Sequence, residues 1–179
     1  MHTHILRIGV TTAALGLAVG VAAATADVSD TDHPGAQRIT ADGVGAVELG
    51  ATHRSLHERG LVGKLHHGCE LGGPSTRSAN LKGPLEGSVD YTQNNPRRAV
   101  NITLTEGGTA HGVGIGDSIK DIKQEFPRAK VNHGTDRTFR LTLVSIPKKH
   151  SNKTRYTFGV STKSHHVKVI GIPFVAICD

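Results

Sequence analysis

The side chains of this 179-residue chain best able to do chemistry are two cysteines, two histidine pairs and one dense run of cations. Cys69 and Cys178 are the only cysteines. Two sulfurs in an exported chain usually pair. The bridge would enclose 108 residues, and in the chain-entropy model a loop of ~100 residues contributes about 4.7 kcal/mol, reduced by any native strain. A metal pair is the weaker alternative, because neither cysteine has a second one at ligand spacing. His66-His67 stand just before Cys69, and His165-His166 stand before the last apolar run. Imidazole binds zinc and copper, and the pairs could meet if their strands were neighbours. Adjacent strand residues point to opposite faces, however, so at most one of each pair could serve a given site. Without a matching carboxylate or cysteine spacing, the expectation is solvated turn and edge histidines, with no metal and no cofactor.

Catalytic signatures are absent from the sequence. No Gly-x-Ser-x-Gly elbow occurs. In Ser161-Thr162-Lys163 the lysine follows the serine by two residues where a serine acyl-enzyme motif needs three, so the segment reads as a polar strand end. Asn101-Ile102-Thr103 and Asn152-Lys153-Thr154 match the glycosylation acceptor pattern and are taken as chance. Charge is more informative. Residues 27–110 carry a net −2 and residues 111–179 a net +7, densest over Lys148-Lys149-His150-Ser151-Asn152-Lys153-Thr154-Arg155. Lys148, Lys149, Lys153 and Arg155 could contact a polyanion or an acidic partner. The alternative is a solvated hairpin tip that keeps sheet edges from pairing with other chains.

These side chains need a scaffold, and the chain opens with a segment of another kind. Arg7 is the only fixed charge before an apolar run from Ile8 to Ala23, and Ala24-Thr25-Ala26 gives the small-x-small pattern of a cleavage site. The expectation is a Sec-type signal peptide over 1–26 and a secreted product with no stable membrane span after processing. A run of about 16 residues is short of the ~20 that a spanning helix needs. Residues 27–37 read as a flexible leader and 38–179 as a single mature domain, with halves of about 38–110 and 111–179. The aromatic content is 3%, with no tryptophan, so the core must rest on Val, Ile, Leu and Ala.

Two segments resemble each other. Gly45-Ala46-Val47-Glu48-Leu49-Gly50-Ala51-Thr52 and Gly112-Val113-Gly114-Ile115-Gly116-Asp117-Ser118 each place, two residues after a glycine, a hydroxyl residue able to cap a helix. Ser118 with Asp121 forms a variant of the capping box, and Ile119, Ile122 and Phe126 share one face until Pro127 stops the helix. Thr52 to Leu61 is the poorer helix. Alternation then predicts strands with Val100, Ile102 and Leu104 inward, with Phe139, Leu141 and Leu143 inward, and with Tyr156, Phe158 and Val160 inward. A final strand runs from Val167 to Val175, with Val169, Ile170 and Ile172 in it, and weaker ones lie near Leu65 to Leu71 and Leu85 to Tyr91. The fold class expected is α+β: two pseudo-repeats, each a short helix followed by an antiparallel meander, packed as one domain.

The glycine motifs, a cysteine after the first helix and another at the chain end resemble a group of small secreted bacterial proteins of undefined function. Their tandem helix-plus-sheet halves resemble the β-lactamase-inhibitor-protein-like fold. The resemblance covers about 38–179 and implies the fold. It does not carry inhibition with it, because that family's concave sheet uses aromatic anchors, which are sparse here, and these cysteines are placed to bridge the halves. The function expected is a secreted, non-enzymatic binding or inhibitory module acting on another extracellular or envelope protein. The alternatives are a small extracellular hydrolase and a polyanion-binding envelope protein.

Overall fold

Hydroxyl side chains start both of the longer helices. The computed structural model describes residues 33–69 and 76–177. The expected signal peptide and Cys178 lie outside these residues. Thr52 accepts a hydrogen bond from Ser55 N at 3.2 Å and starts α1 (His53–Glu58). Ser118 and Asp121 bond each other's backbone N–H groups in a full capping box and start α2 (Ile119–Glu125). The preceding Gly50 and Gly116 hold φ of +83° and +98°, a backbone region glycine enters without steric cost. A third helical turn, α3 (Asp136–Phe139), is the shortest.

The remaining elements are strands: β1 (Gln37–Arg38), β2 (Gly43–Val44), β3 (Val47–Glu48), β4 (His66–His67), β5 (Arg77–Asn80), β6 (Glu86–Tyr91), β7 (Ala99–Glu106), β8 (Gly108–Ala110), β9 (Val113–Gly114), β10 (Lys130–Asn132), β11 (Leu141–Pro147), β12 (Thr154–Ser161) and β13 (Val167–Ile172). Eight form one antiparallel sheet in the order β10-β11-β12-β13-β7-β6-β5-β4. A small sheet β1-β8-β9 and the pair β2-β3 complete the α+β architecture. Among the described residues strand pairing begins at Gln37, and His33 in the expected leader bonds Asp117 at 3.0 Å. Among the described residues no helix is long and apolar enough to cross a membrane.

One face of the large sheet carries the core. Register places Val89, Ile102 and Ile172 side by side, and likewise Val144, Phe158, Ile170 and Leu104. Both longer helices pack on this face. His53 of α1 meets the Tyr91 ring edge-on at 5.4 Å, and Phe126 at the end of α2 meets Tyr156 and Phe158 at 5.6 and 6.2 Å. Leu56 and Ile122 are fully buried beneath them.

Two expected strand phases are corrected. In β11 the inward residues are Thr142, Val144 and Ile146, while Leu141 and Leu143 face outward and Phe139 belongs to α3. Val144 and Ile146 join the core from this face, and Thr142 beside them is satisfied there because its hydroxyl donates to Asp136 Oδ1 at 2.8 Å. In β7 Ile102 and Leu104 are buried as expected, but Val100 is 45% exposed. The register shifts beside it, between Asp90 and Tyr91, as a bulge that re-aims the side chain.

Candidate functional site

The other face of the sheet is the side away from the helices, and its composition is different. Side chains of alternate residues put Ser78, Asp90 and Asn101 in one row across β5, β6 and β7. Ser78 Oγ donates a hydrogen bond to Asp90 Oδ1, and Asn101 Nδ2 donates to Asp90 Oδ2 at 3.3 Å and Thr103 Oγ1 at 3.2 Å. Ser78 and Asn101 are buried although they lie on the side away from the core.

Their cover is the chain after β13. Phe174 N donates to Asn101 Oδ1 at 3.3 Å, and Thr157 Oγ1 donates to the carbonyl of Pro173 at 3.1 Å. Cys69 Sγ stands 3.4 Å from the carbonyl oxygen of Ile177. Residues 173–177 therefore form a strap running from the middle of the sheet to its β4 side. It crosses Gly171 so closely that a Cβ there would collide with the Phe174 carbonyl. Between strap and sheet lies a cleft of about 310 Å³.

Toward the opposite edge the outer face displays Asn132, Leu143, Gly159 and Val169 in one register row and Lys130 and Ser145 in the next. Leu141, Leu143 and Val169 are half-buried.

The expected site residues are dispersed. His66 and His67 lie on β4 at one sheet edge, and His165 and His166 lie in the turn before β13, four strand spacings away, or about 19 Å. His66 has Nε2 at 3.1 Å from Asn80 Oδ1 and Nδ1 at 2.7 Å from its neighbour's carbonyl. Both of its ring nitrogens are thus engaged with oxygens. No group of three metal-ligating side chains occurs among the described residues. Ser161 Oγ accepts from the backbone N–H groups of Lys163 and Ser164 at 3.2 Å each, as a turn residue does. The glycosylation-like Asn101 is buried.

The cation run also divides. Residues 148–153 form the β11–β12 hairpin loop, closed by Lys148 N donating to Lys153 O at 2.8 Å, with Lys149 and Lys153 exposed. Arg155 is in β12, its guanidinium carbon 5.9 Å from the Tyr156 ring centroid and its Nε buried. Burial pushes the Tyr156 phenol up against the opposing pull of Arg155, and burial together with the Asp90 carboxylate pushes Tyr91 to about 12. The sequence analysis met Asn101 only as a glycosylation-like match and gave no sign of its bonds to Phe174 and Asp90 or of the exposure of Phe174. The one available signal was Pro173 immediately after the last strand.

No family model, curated protein or solved structure matches this chain.

Proposed function

We propose that this chain is an exported, non-enzymatic binding module, whose partner docks on the outer face of the sheet over β10–β12. The observation that carries this reading is the asymmetry of the sheet: helices cover one face, while Leu141, Leu143, Val169 and Lys130 remain on the other beyond the reach of the strap. Antiparallel sheets with one open face of mixed aliphatic and polar side chains suit protein recognition. The histidines support a structural role, since His33, His53 and His133 bond Asp117, the Gly63 carbonyl and Asp136, and none of these partners is a hydroxyl nucleophile.

The domain in this reading is two related halves. Gly50 N donates to Ala99 O at 2.7 Å and Gly116 N donates to Val167 O at 3.0 Å, so each glycine before a helix is tied to the fourth strand after it. The cap residues repeat this through the bridges Thr52 to Arg98 and Ser118 to His166. A disulfide from Cys69 to Cys178 would lock the strap, a reading supported by the approach of Cys69 to Ile177, the residue before Cys178.

The test is a photo-crosslinking amino acid at Leu143, with the same group at Lys123 on α2 as the control. A crosslink from native culture fluid or envelope to one protein through position 143 and not through 123 is the expected result. Equal labelling from both positions, or none from either, overturns the reading.

A further inference from the structure

Leu141 Cδ1 and Val169 Cγ1 lie 3.7 and 2.5 Å from the point that a Cβ on Gly159 would occupy, so the two side chains close over this glycine from either side. Leu143 is the register partner of Gly159. The outer face therefore carries a continuous aliphatic patch from β11 to β13, about 10 Å across. Lys130 stands at its β10 edge and Lys168, in the bulge before Val169, at its β13 edge, and both are exposed. Strands β10 to β13 contain no carboxylate. The described carboxylates of the second half are Asp117, Asp121, Glu125 and Asp136. The first three belong to α2 and the turn before it, on the side of the helices, and Asp136 is engaged by His133 and the inward Thr142. The ion pairs of this half among the described residues, His33–Asp117, His111–Glu125 and His133–Asp136, use none of its lysines or arginines. Its net charge of +7 is thus segregated: acids lie with the helices, and the sheet face has cations alone around its aliphatic centre.

We infer that the partner of this face is an acidic protein surface, with aliphatic side chains set on the Leu141, Leu143 and Val169 patch and carboxylates around them facing Lys130 and Lys168. An apolar centre within a charged rim is the anatomy of a protein interface, and the sign of the rim selects the partner. A nucleic acid or sulfated glycan would meet aliphatic side chains where it needs cations or stacking rings. The inference rests on the binding-module reading and gives its partner a chemistry.

The test is a titration of the isotope-labelled protein, followed by NMR, with short blocked peptides that alternate glutamate with leucine, lysine with leucine, or glutamate with serine, and with heparin. The expected result is saturable shifts at Lys130, Leu143, Gly159 and Val169 with the glutamate–leucine peptide, and none at these positions with the lysine–leucine peptide. The glutamate–serine peptide should bind at least about tenfold more weakly, because apolar contact area is lost. Lys130→Glu with Lys168→Glu should weaken the glutamate–leucine peptide by about tenfold, since two exposed ion pairs become like-charge contacts. Lys120→Glu with Lys123→Glu on α2 makes the same change in net charge on the side of the helices and should alter binding by less than about twofold. Equal binding of the two leucine peptides, saturation of these positions by heparin alone, or no saturable shift with any probe overturns the inference. A failure here alongside a specific crosslink from position 143 removes the acidic partner and leaves the sheet-face reading standing.

Discussion

Phe174 donates its backbone N–H to Asn101 Oδ1 across 73 positions of sequence, and Asn101 in turn donates to Asp90 and Thr103. A fully buried amide on the side of the sheet away from the core thus joins the end of the chain to the centre of the sheet. Burial of an amide is tolerated only when its hydrogen bonds are made, so the strap and the polar row depend on each other.

Asn101→Leu should therefore cost about 1–3 kcal/mol in a urea titration, because Phe174 N, Asp90 and Thr103 each lose a partner. Backbone amides of 174–177 should exchange faster with solvent. Unchanged protection of those amides would show that the strap is held without Asn101. Gly171→Ala is the independent check, since its Cβ would push the strap outward at the Phe174 carbonyl while leaving Asn101 in place.

Ser118→Ala removes the cap of α2 and should cost about 1 kcal/mol at neutral pH. Hydrogen bonds from the Ser118 hydroxyl and backbone hold Asp121 below the ordinary carboxylate range. The stability it contributes is present above the unfolded pKa and is lost as pH falls through the lower folded value. The gap between wild type and Ser118→Ala should accordingly narrow in acid. A gap independent of pH would mean that Asp121 takes no part in the cap.

How much of this was legible in the sequence depended on whether local chemistry was decisive. Thr52, Ser118 and Asp121 announce helix starts because capping is satisfied within four residues, and Tyr156, Phe158 and Val160 leave one choice of face. In β11 both alternate sets contain aliphatics, Leu141 and Leu143 against Val144 and Ile146, so hydropathy alone cannot set the phase. Val144 and Ile146 are the pair that joins the core, and Thr142 shares their face with its hydroxyl bonded to Asp136. β5 and β10 went unread because Arg77–Asn80 and Lys130–Asn132 show no apolar alternation; register with their neighbours makes them strands. The outer-face site was illegible for the same reason, as a buried Asn101 looks like a solvated one until the strap lies over it.

The hairpin lysines offer a test of the polyanion alternative. Replacing Lys148, Lys149 and Lys153 together by Gln should lower the salt concentration that elutes the protein from a sulfated resin. The denaturation midpoint should shift little, since residues 149–153 are exposed and surface changes are usually within about 0.5 kcal/mol each. Loss of the crosslink at position 143 in the same variant would move the binding site to the loop.

If the Cys69–Cys178 bridge forms, Cys69→Ser should cost roughly 2–5 kcal/mol, the usual range for a native disulfide in a small secreted domain. Protection of 174–177 should fall with it. Thiol titration of the unfolded, unreduced protein should detect no free cysteine. Two titratable thiols per chain in protein recovered after export would remove the bridge and the lock it provides for the strap.

The pH dependence at the alkaline end follows from the two tyrosines, Tyr91 and Tyr156, both buried. Burial, with Asp90 beside it, raises the Tyr91 phenol from 10.0 to about 12, and Tyr156 is raised as well. Between those values the unfolded chain has released its phenolic protons while the folded chain retains them, so folding must recover protons and stability falls as pH rises. The Tyr91 hydroxyl has no hydrogen-bond partner among the described residues, so Tyr91→Phe removes a desolvated polar group. It should leave stability at neutral pH unchanged or raise it by up to about 1 kcal/mol, and it should flatten the alkaline decline. Native protein that forms tyrosinate absorbance midway near pH 10, with a decline unaltered in Tyr91→Phe, would show that this phenol is reached by water.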